Sequence, residues 1–532
     1  MKQSFFARHA FTIILVTVFG MPIVFGAARF ALKTNTNDVK QWLPESYAET
    51  QEYHRFRRHF EGEEFILVSW DGCTLEDGRL PLLAAKLVPP PDQRLPEDGP
   101  PLFKKVITGP GVVETLTSEP TSLSYEQAVE RMSGTLIGHD LETTCAVLTL
   151  SDAGKVSLHK TIAKIRDTAA NECAVPLDSL HMGGPPVDNV AIDVAGQESL
   201  YRLAGLAGII GLVISWWCLR TWRLITMVFA TAIYSAAASL AVVYWTGDSL
   251  NAILLTMPPL VYVAATSGAI HLSNYYRDTA KELGVEGAPG RALRHALLPI
   301  SLATITTSVG LLSLCYSELV PIQMFGLFSA IGVGISMLLL TVWMPAALQL
   351  FPLPDSALRA ADAEGPGTFD PMSSDRWPAI GRWILRRHWL VNAACLLLLG
   401  LCTWGVTKVQ TSVQLMRLFD SKARILADYK WLEENLGELI PMEVVIKIDE
   451  AQSKLTFLEQ MELVSRIQHR VDAIDVVGSS LSCVTFAPDI PISEKPKSRR
   501  GFREITERNV RNKRLDEHRD DFLAGDYLRQ AN

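Results

Sequence analysis

Charge disappears from long stretches of this chain. Residues 224–276 contain one charged side chain, Asp248, and residues 297–352 again contain one, Glu318. Residues 10–28, 203–219 and 389–407 contain none. A bilayer core takes about 20 predominantly apolar residues per helix. The pattern therefore predicts seven spans, at 10–30, 202–219, 224–245, 252–273, 297–316, 324–350 and 389–407. The first exceeds the roughly 7–15-residue apolar core of a cleaved signal peptide, so an uncleaved anchor is the expectation.

Arg and Lys in short loops mark the cytoplasmic side. Arg220 and Arg223 follow the second span; Arg277, Lys281, Arg291 and Arg294 follow the fourth; Arg376, Arg382, Arg386 and Arg387 precede the seventh. The alternate loops carry only acids. The N-terminus is expected inside, with two polar regions outside. The expected organisation is a span (10–31), an extracytoplasmic α+β domain (32–196), a five-helix bundle (200–350), a cytoplasmic linker (351–388), a span (389–408) and the start of a second extracytoplasmic domain (409–532). Pro352, Pro354, Gly365, Pro366, Gly367 and Pro371 are expected to break any helix in the linker.

Each polar region opens alike. WLPESYAETQEYHRFRRHFEGEEFILVSWDG after span one parallels RLFDSKARILADYKWLEENLGELIPMEVVIKIDE after span seven. Both read as an amphipathic helix closed by a glycine, Gly62 or Gly437, and then a strand. With Arg8-His9 and Arg387-His388 before the two spans, this reads as an internal duplication, a design that recurs in transporters. The first region continues as helix 125–136, strand 143–151, helix 155–172 and a strand near 178–182, an α+β alternation.

Composition excludes some chemistry. Lys+Arg number 50 against 57 Asp+Glu, a formal charge of −7, so no concentrated basic face for nucleic acid is expected. The eight cysteines show no metal-site spacing, and neither metal nor cofactor is expected. Cys73, Cys145 and Cys173 share one polar region, and a disulfide between two of them is open only if that region is extracytoplasmic; spacing neither requires one nor selects the pair. Ser151-Asp152, His139-Asp140 and His181 supply the residue types of a catalytic triad without a motif joining them, so no catalytic residue is assigned.

No Asp, Glu, Lys or Arg lies in the middle of a predicted span, where ionisable groups signal function. Transport-path candidates are therefore polar and few: Tyr262, Thr266, Ser267 and His271 in span four, and Thr306 and Thr307 in span five. The competing readings are close packing of small residues, hydroxyls bonded to their own helix, and His271 reaching the membrane interface. Pro258 and Pro259 are expected to kink or shorten span four. Gly183, Gly184, Pro185 and Pro186 read as a hinge before span two.

GGPPVDNVAID at 183–193, AIHLSNYYRD at 269–278 and LPISLATITTSVGLLSLCYSELVPIQMFGLFSAIGVGISMLLLTVWMPAAL at 298–348 resemble the resistance–nodulation–division (RND) permeases. Within them the chain is similar to the MMPL-type exporters of lipids and other hydrophobes. Its five-span cassette resembles the sterol-sensing domain. The resemblance implies porter-like, ferredoxin-like outer domains, a hydrophobic or amphiphilic substrate, membrane lipids as partners, and twelve spans in all. Residue 532 then falls within the second outer domain, so the chain is expected to be the front half of a longer protein, completed by a second bundle or by a further copy. The family carries Asp then Tyr just before the Ala269-Ile270-His271 stretch, as part of a proton relay. Ser267 and Gly268 stand there in this chain, and serine does not titrate at physiological pH. None of the eleven Asn begins an Asn-x-Ser/Thr site, which favours a bacterial plasma membrane. Two readings of function follow: an exporter, or a lipid-sensing or scaffold protein that transports nothing.

Overall fold

The computed structural model describes residues 5–33, 42, 44–60, 65–89, 99–119, 121–354, 376–409, 419–420, 423–439, 442–448, 455–488, 490 and 502–524. The chain opens with helix α1 (Phe5–Lys33), α2 (Ala48–Phe60), strand β1 (Phe65–Trp70), α3 (Arg79–Leu87) and β2 (Phe103–Thr108). Next come α4 (Gly109–Thr117), α5 (Tyr125–Arg131), β3 (Ala146–Leu150), α6 (Asp152–Val156), α7 (Leu158–Asp167) and β4 (Leu180–Gly183). The long helices are α8 (Pro185–Leu219), α9 (Trp222–Thr246), α10 (Met257–Leu283), α11 (Ala288–Leu312) and α12 (Val320–Leu338), followed by α13 (Met344–Leu350). The remainder comprises α14 (Arg376–Arg386), α15 (His388–Val406), α16 (Arg424–Asn435), α17 (Phe457–Asp472), α18 (Phe502–Glu517) and α19 (Arg519–Ala524). These elements form two compact units. One holds residues 1–35, 196–317 and 321–418, and the other holds 36–195, 318–320 and 419–532.

Among the described residues, six helical segments are long and apolar enough to cross a membrane: Phe5–Lys33, Pro185–Leu219, Trp222–Thr246, Ala288–Tyr316, Val320–Leu350 and His388–Val406. The expected fourth span, 252–273, forms helix α10 (Met257–Leu283), which is not among them. Its composition is less apolar, with Pro258, Pro259, His271 and Asn274 in the stretch. Fourteen of its residues, from Met257 to Ala280, are buried, packed largely with α9 and α11. A helix that meets protein more than lipid is released from the apolar composition that lipid contact imposes.

Pro258 and Pro259 do not kink this helix. It starts at Met257, so both prolines occupy the first turn, where backbone N–H groups have no partner to lose. Asn251 accepts from the Leu254 N–H at 2.8 Å just ahead of them. A different proline is accommodated by a local change of helix type. A π-helical turn at Leu339–Trp343 precedes Pro345, whose ring would otherwise meet the carbonyl four residues back.

Small residues hold the bundle together. Ala27, Ala28 and Ala31 of α1 share a core with Ala237, Ala238 and Ala241 of α9, allowing the close approach that membrane helices use in place of a hydrophobic drive. Gly332 of α12 is packed so tightly that an added Cβ would lie 2.7 Å from Val261 Cγ2 and 2.9 Å from Ser239 Cβ. Gly332→Ala is therefore expected to cost about 1–3 kcal/mol through overpacking, read as a lower melting temperature in detergent. Gly334→Ala, where nothing lies within 4 Å, is the control expected to change little.

The other unit is built on a four-stranded antiparallel sheet of order β2-β3-β1-β4, the order of a split βαβ arrangement. Alternation along the strands sorts the side chains. Ile66, Val68 and Trp70 of β1 are fully buried on one face, beside Leu148 and Ala146 across the register. Leu67, Val147 and Gly183 lie on the opposite face, which α16 covers with Leu432 and Leu436 in a core shared with α4 and α5. Residues from both polar regions of the sequence thus build one unit.

Several elements differ from expectation. Helix 155–172 divides into α6, α7 and a π turn at Thr168–Glu172. Among the described residues after Gly437 no strand forms: 442–448 carry no ladder, and alternation makes a strand only where a neighbour accepts its hydrogen bonds. The linker is helical over Arg376–Arg386, since its breakers end at Pro371 and Pro378 falls in the first turn, where proline is tolerated. Gly62, Gly365, Pro366, Gly367 and Pro371 lie outside the described residues.

Cys73, Cys145 and Cys173 are all free and buried. Burial pushes the Cys73 thiol up to about 12 and raises those of Cys145 and Cys173 as well. None of the three pairs as a disulfide in this structure, and they behave as small core residues.

Candidate functional site

The sequence candidates fall in three different surroundings. Tyr262 and Thr266 face inward. Tyr262 meets Phe229 edge-on at 6.2 Å between ring centroids, and a Cβ on Gly211 of α8 would come within 2.9 Å of its hydroxyl. Thr266 donates to the Tyr262 carbonyl at 2.8 Å, so its hydroxyl is used within its own helix. Ser267 and His271, one turn apart, lie on the opposite, exposed side of α10 in line with Leu260, Val263 and Tyr275. Thr306 and Thr307 are exposed on α11, and Thr306 donates to the Leu302 carbonyl at 2.9 Å. The six residues do not converge on one path.

Sequence reasoning missed a set of polar atoms near the C-terminal end of α10. Ser273 Oγ, Asn274 Oδ1 and Arg277 Nε, with Gln349 Oε1 of α13, are buried without a hydrogen-bond partner. Buried polar atoms of this kind are ordinarily met by water. Only burial distinguishes these atoms from the exposed polar residues around them.

The Gly183-Gly184-Pro185-Pro186 segment is the most constrained of the candidates. Gly183 and Gly184 are buried, and the prolines open α8. Gly184 has φ +111°, and a Cβ there would lie 2.5 Å from the Phe65 carbonyl oxygen. Its N–H donates to the Tyr429 hydroxyl at 3.0 Å, and that hydroxyl donates to Asp188 Oδ1 at 2.7 Å. One phenol from α16 thus ties the end of β4 to the first turn of α8. Asp188 lies on the part of α8 that belongs to the sheet-bearing unit, ahead of the apolar stretch. Burial pushes its carboxyl up to about 6, against the opposing hydrogen bond from Tyr429.

A second polar group adjoins the first. His181 of β4 stacks on Trp431 at 4.3 Å and 15°. Its Nδ1 lies 3.0 Å from Asp428 Oδ1, and its Nε2 lies 3.6 Å from exposed Asp71. Arg424 stands 3.7 Å from the other Asp428 oxygen and donates to the Leu180 carbonyl at 3.0 Å. Burial raises the Asp428 carboxyl against the pull of His181 and Arg424. The other triad-type residues are used elsewhere. Ser151 caps α6 by accepting from Gly154 N–H at 3.1 Å, and Asp140 closes a turn through Thr143 and the Glu142 N–H. No motif or spacing joins His181 to Asp428, 247 residues away.

The model of the MMPL family matches residues 110–389, more than half of the chain, from the sheet-bearing region through all five bundle helices. The chain belongs to the MMPL family. A curated relative, named only as a membrane protein of Streptomyces coelicolor, is 28% identical over 307 residues. That alignment covers 54% of this MMPL chain and 41% of the relative, so the chain matches less than half of the relative's length. Family membership, with six helices among the described residues long and apolar enough to cross a membrane, makes this a multi-pass membrane protein of the RND/MMPL type.

Proposed function

We propose that this MMPL protein moves lipids or other hydrophobic or amphiphilic compounds across or out of a bacterial plasma membrane. Transport relies on movement of the sheet-bearing unit passed to the bundle through α8. The observation that carries this reading is the helix itself. It runs without a break for 35 residues, roughly 50 Å at 1.5 Å per residue, where a bilayer core needs about 20 residues. The surplus is the part fastened by Tyr429. A continuous helix transmits tilt or rotation that a flexible linker would absorb.

In this reading α10 is a seventh span, the N-terminus is cytoplasmic, the sheet-bearing unit is extracytoplasmic, and a second bundle, from a longer chain or another copy, completes the pump. Ser267 supplies no titrating group, so proton coupling falls to that second bundle. The alternative is a lipid-sensing or scaffold protein, favoured by the same serine.

Proteoliposomes of the protein purified from its native membrane separate the two. Efflux of a fluorescent amphiphile is expected, unchanged within about twofold in Ser267→Ala. Tyr429→Phe is expected to slow it by roughly tenfold or more, the effect of losing about 1.4 kcal/mol of coupling. Absence of flux together with a lipid-dependent rise in melting temperature would establish the sensor instead.

A further inference from the structure

Helix α14 leaves its apolar face uncovered. At 100° per residue Ile380, Trp383 and Ile384 fall on one side and Arg382 and Arg386 on the other. Ile380 is 46% exposed, Trp383 56% and Ile384 41%. From Pro378 to Arg386 every side chain is exposed, with only the position of Gly381 intermediate. Eleven residues make a helix that is marginal in water, and two arginines spaced i, i+4 weaken it further by repulsion. The helix therefore needs a surface that takes up apolar and cationic groups together. After the single non-helical residue Arg387 comes α15, an apolar helix with no buried residue. No acidic residue occurs between Arg376 and Val406.

We propose that α14 lies in the plane of the membrane interface where α15 enters, its Ile380–Trp383–Ile384 face among the acyl chains and its arginines on anionic phospholipid headgroups. An acidic protein segment would satisfy the arginines and leave the tryptophan and isoleucines in water; an anionic leaflet takes both. The proposal rests on reading α15 as a membrane span.

The test is hydrogen exchange of the full chain in bilayers of neutral phosphatidylcholine and of phosphatidylcholine mixed with phosphatidylglycerol. Amides of residues 380–386 are expected to exchange at least about tenfold more slowly in the anionic bilayer. Arg382→Glu/Arg386→Glu is expected to lose that difference, and Arg382→Lys/Arg386→Lys to keep it, since the attraction is to charge. Equal exchange in the two lipids overturns the proposal. So does slow exchange that survives the glutamate pair, which would assign the surface to a protein. Failure of the span reading shows separately, as rapid exchange of the α15 amides in both bilayers.

Discussion

Gly184→Ala is expected to open the edge of the sheet. The native φ of +111° is a conformation L side chains rarely adopt, which costs a non-glycine residue of order 1–3 kcal/mol by itself. The added methyl also falls 2.5 Å from the Phe65 carbonyl oxygen, a backbone atom held in β1 by its pairing with β3. Neither neighbour gives way without loosening the β1–β4 ladder. Together these effects predict about 3–4 kcal/mol of local destabilisation. Hydrogen exchange of the β1–β4 amides, Leu67–Trp70 and Leu180–Gly183, should accelerate by roughly a hundredfold or more, since each 1.4 kcal/mol is tenfold. Gly183→Ala is the informative control. Its Cβ would lie 3.0 Å from Leu432 Cδ1, the end of a flexible side chain, so a cost of about 1 kcal/mol or less is expected. Comparable exchange in the two variants would show that the Gly184 turn is not strained for other residues.

The second large effect concerns the phenol at the same turn. Tyr429→Phe keeps the ring and removes one hydroxyl that both accepts from Gly184 N–H and donates to Asp188. Two partly buried polar groups lose their partner, at about 1–3 kcal/mol each, so a loss of about 2–6 kcal/mol is expected. Asp188→Asn should cost less, because an amide oxygen still accepts the hydroxyl. A double-mutant cycle is expected to show coupling well above the 0.3–0.5 kcal/mol typical of independent sites. Additive effects would show that the hydroxyl does not link the two elements.

The pH dependence has a definite sign. The folded state raises the Asp188 carboxyl from 3.8 to about 6, so between those values the folded protein holds more proton than the unfolded one. This group's contribution therefore declines as pH rises from about 4 to 6 and is flat above, a difference of about 2–3 kcal/mol. Asp428 is raised as well and acts in the same sense, so the diagnostic quantity is the wild-type curve minus the Asp188→Asn curve. A flat difference curve would place Asp188 in ordinary solvent.

The sequence by itself determined the class of the protein. Runs such as 297–352, with one charge, leave an apolar helix as the only spanning structure that satisfies its backbone in lipid. The α2 and α16 helices were legible from their periodicity, and the family resemblance rested on residues as they stand. The absence of charge did not separate α10 from its neighbours, although Pro258, Pro259, His271 and Asn274 make it less apolar than they are. Nor could it anticipate α14, whose stability depends on a surface outside the helix.

Only the tertiary structure decided where the two polar regions meet. Local pattern marks a strand near 178–182, but not that Tyr429, 245 residues from Gly184, supplies the hydroxyl that ends it. It likewise offered His181 as one member of a surface triad, whereas packing gave it Asp428 and the ring of Trp431. Hydrogen bonds between distant segments are chosen by the geometry of the packed core, and that geometry depends on all of its residues at once.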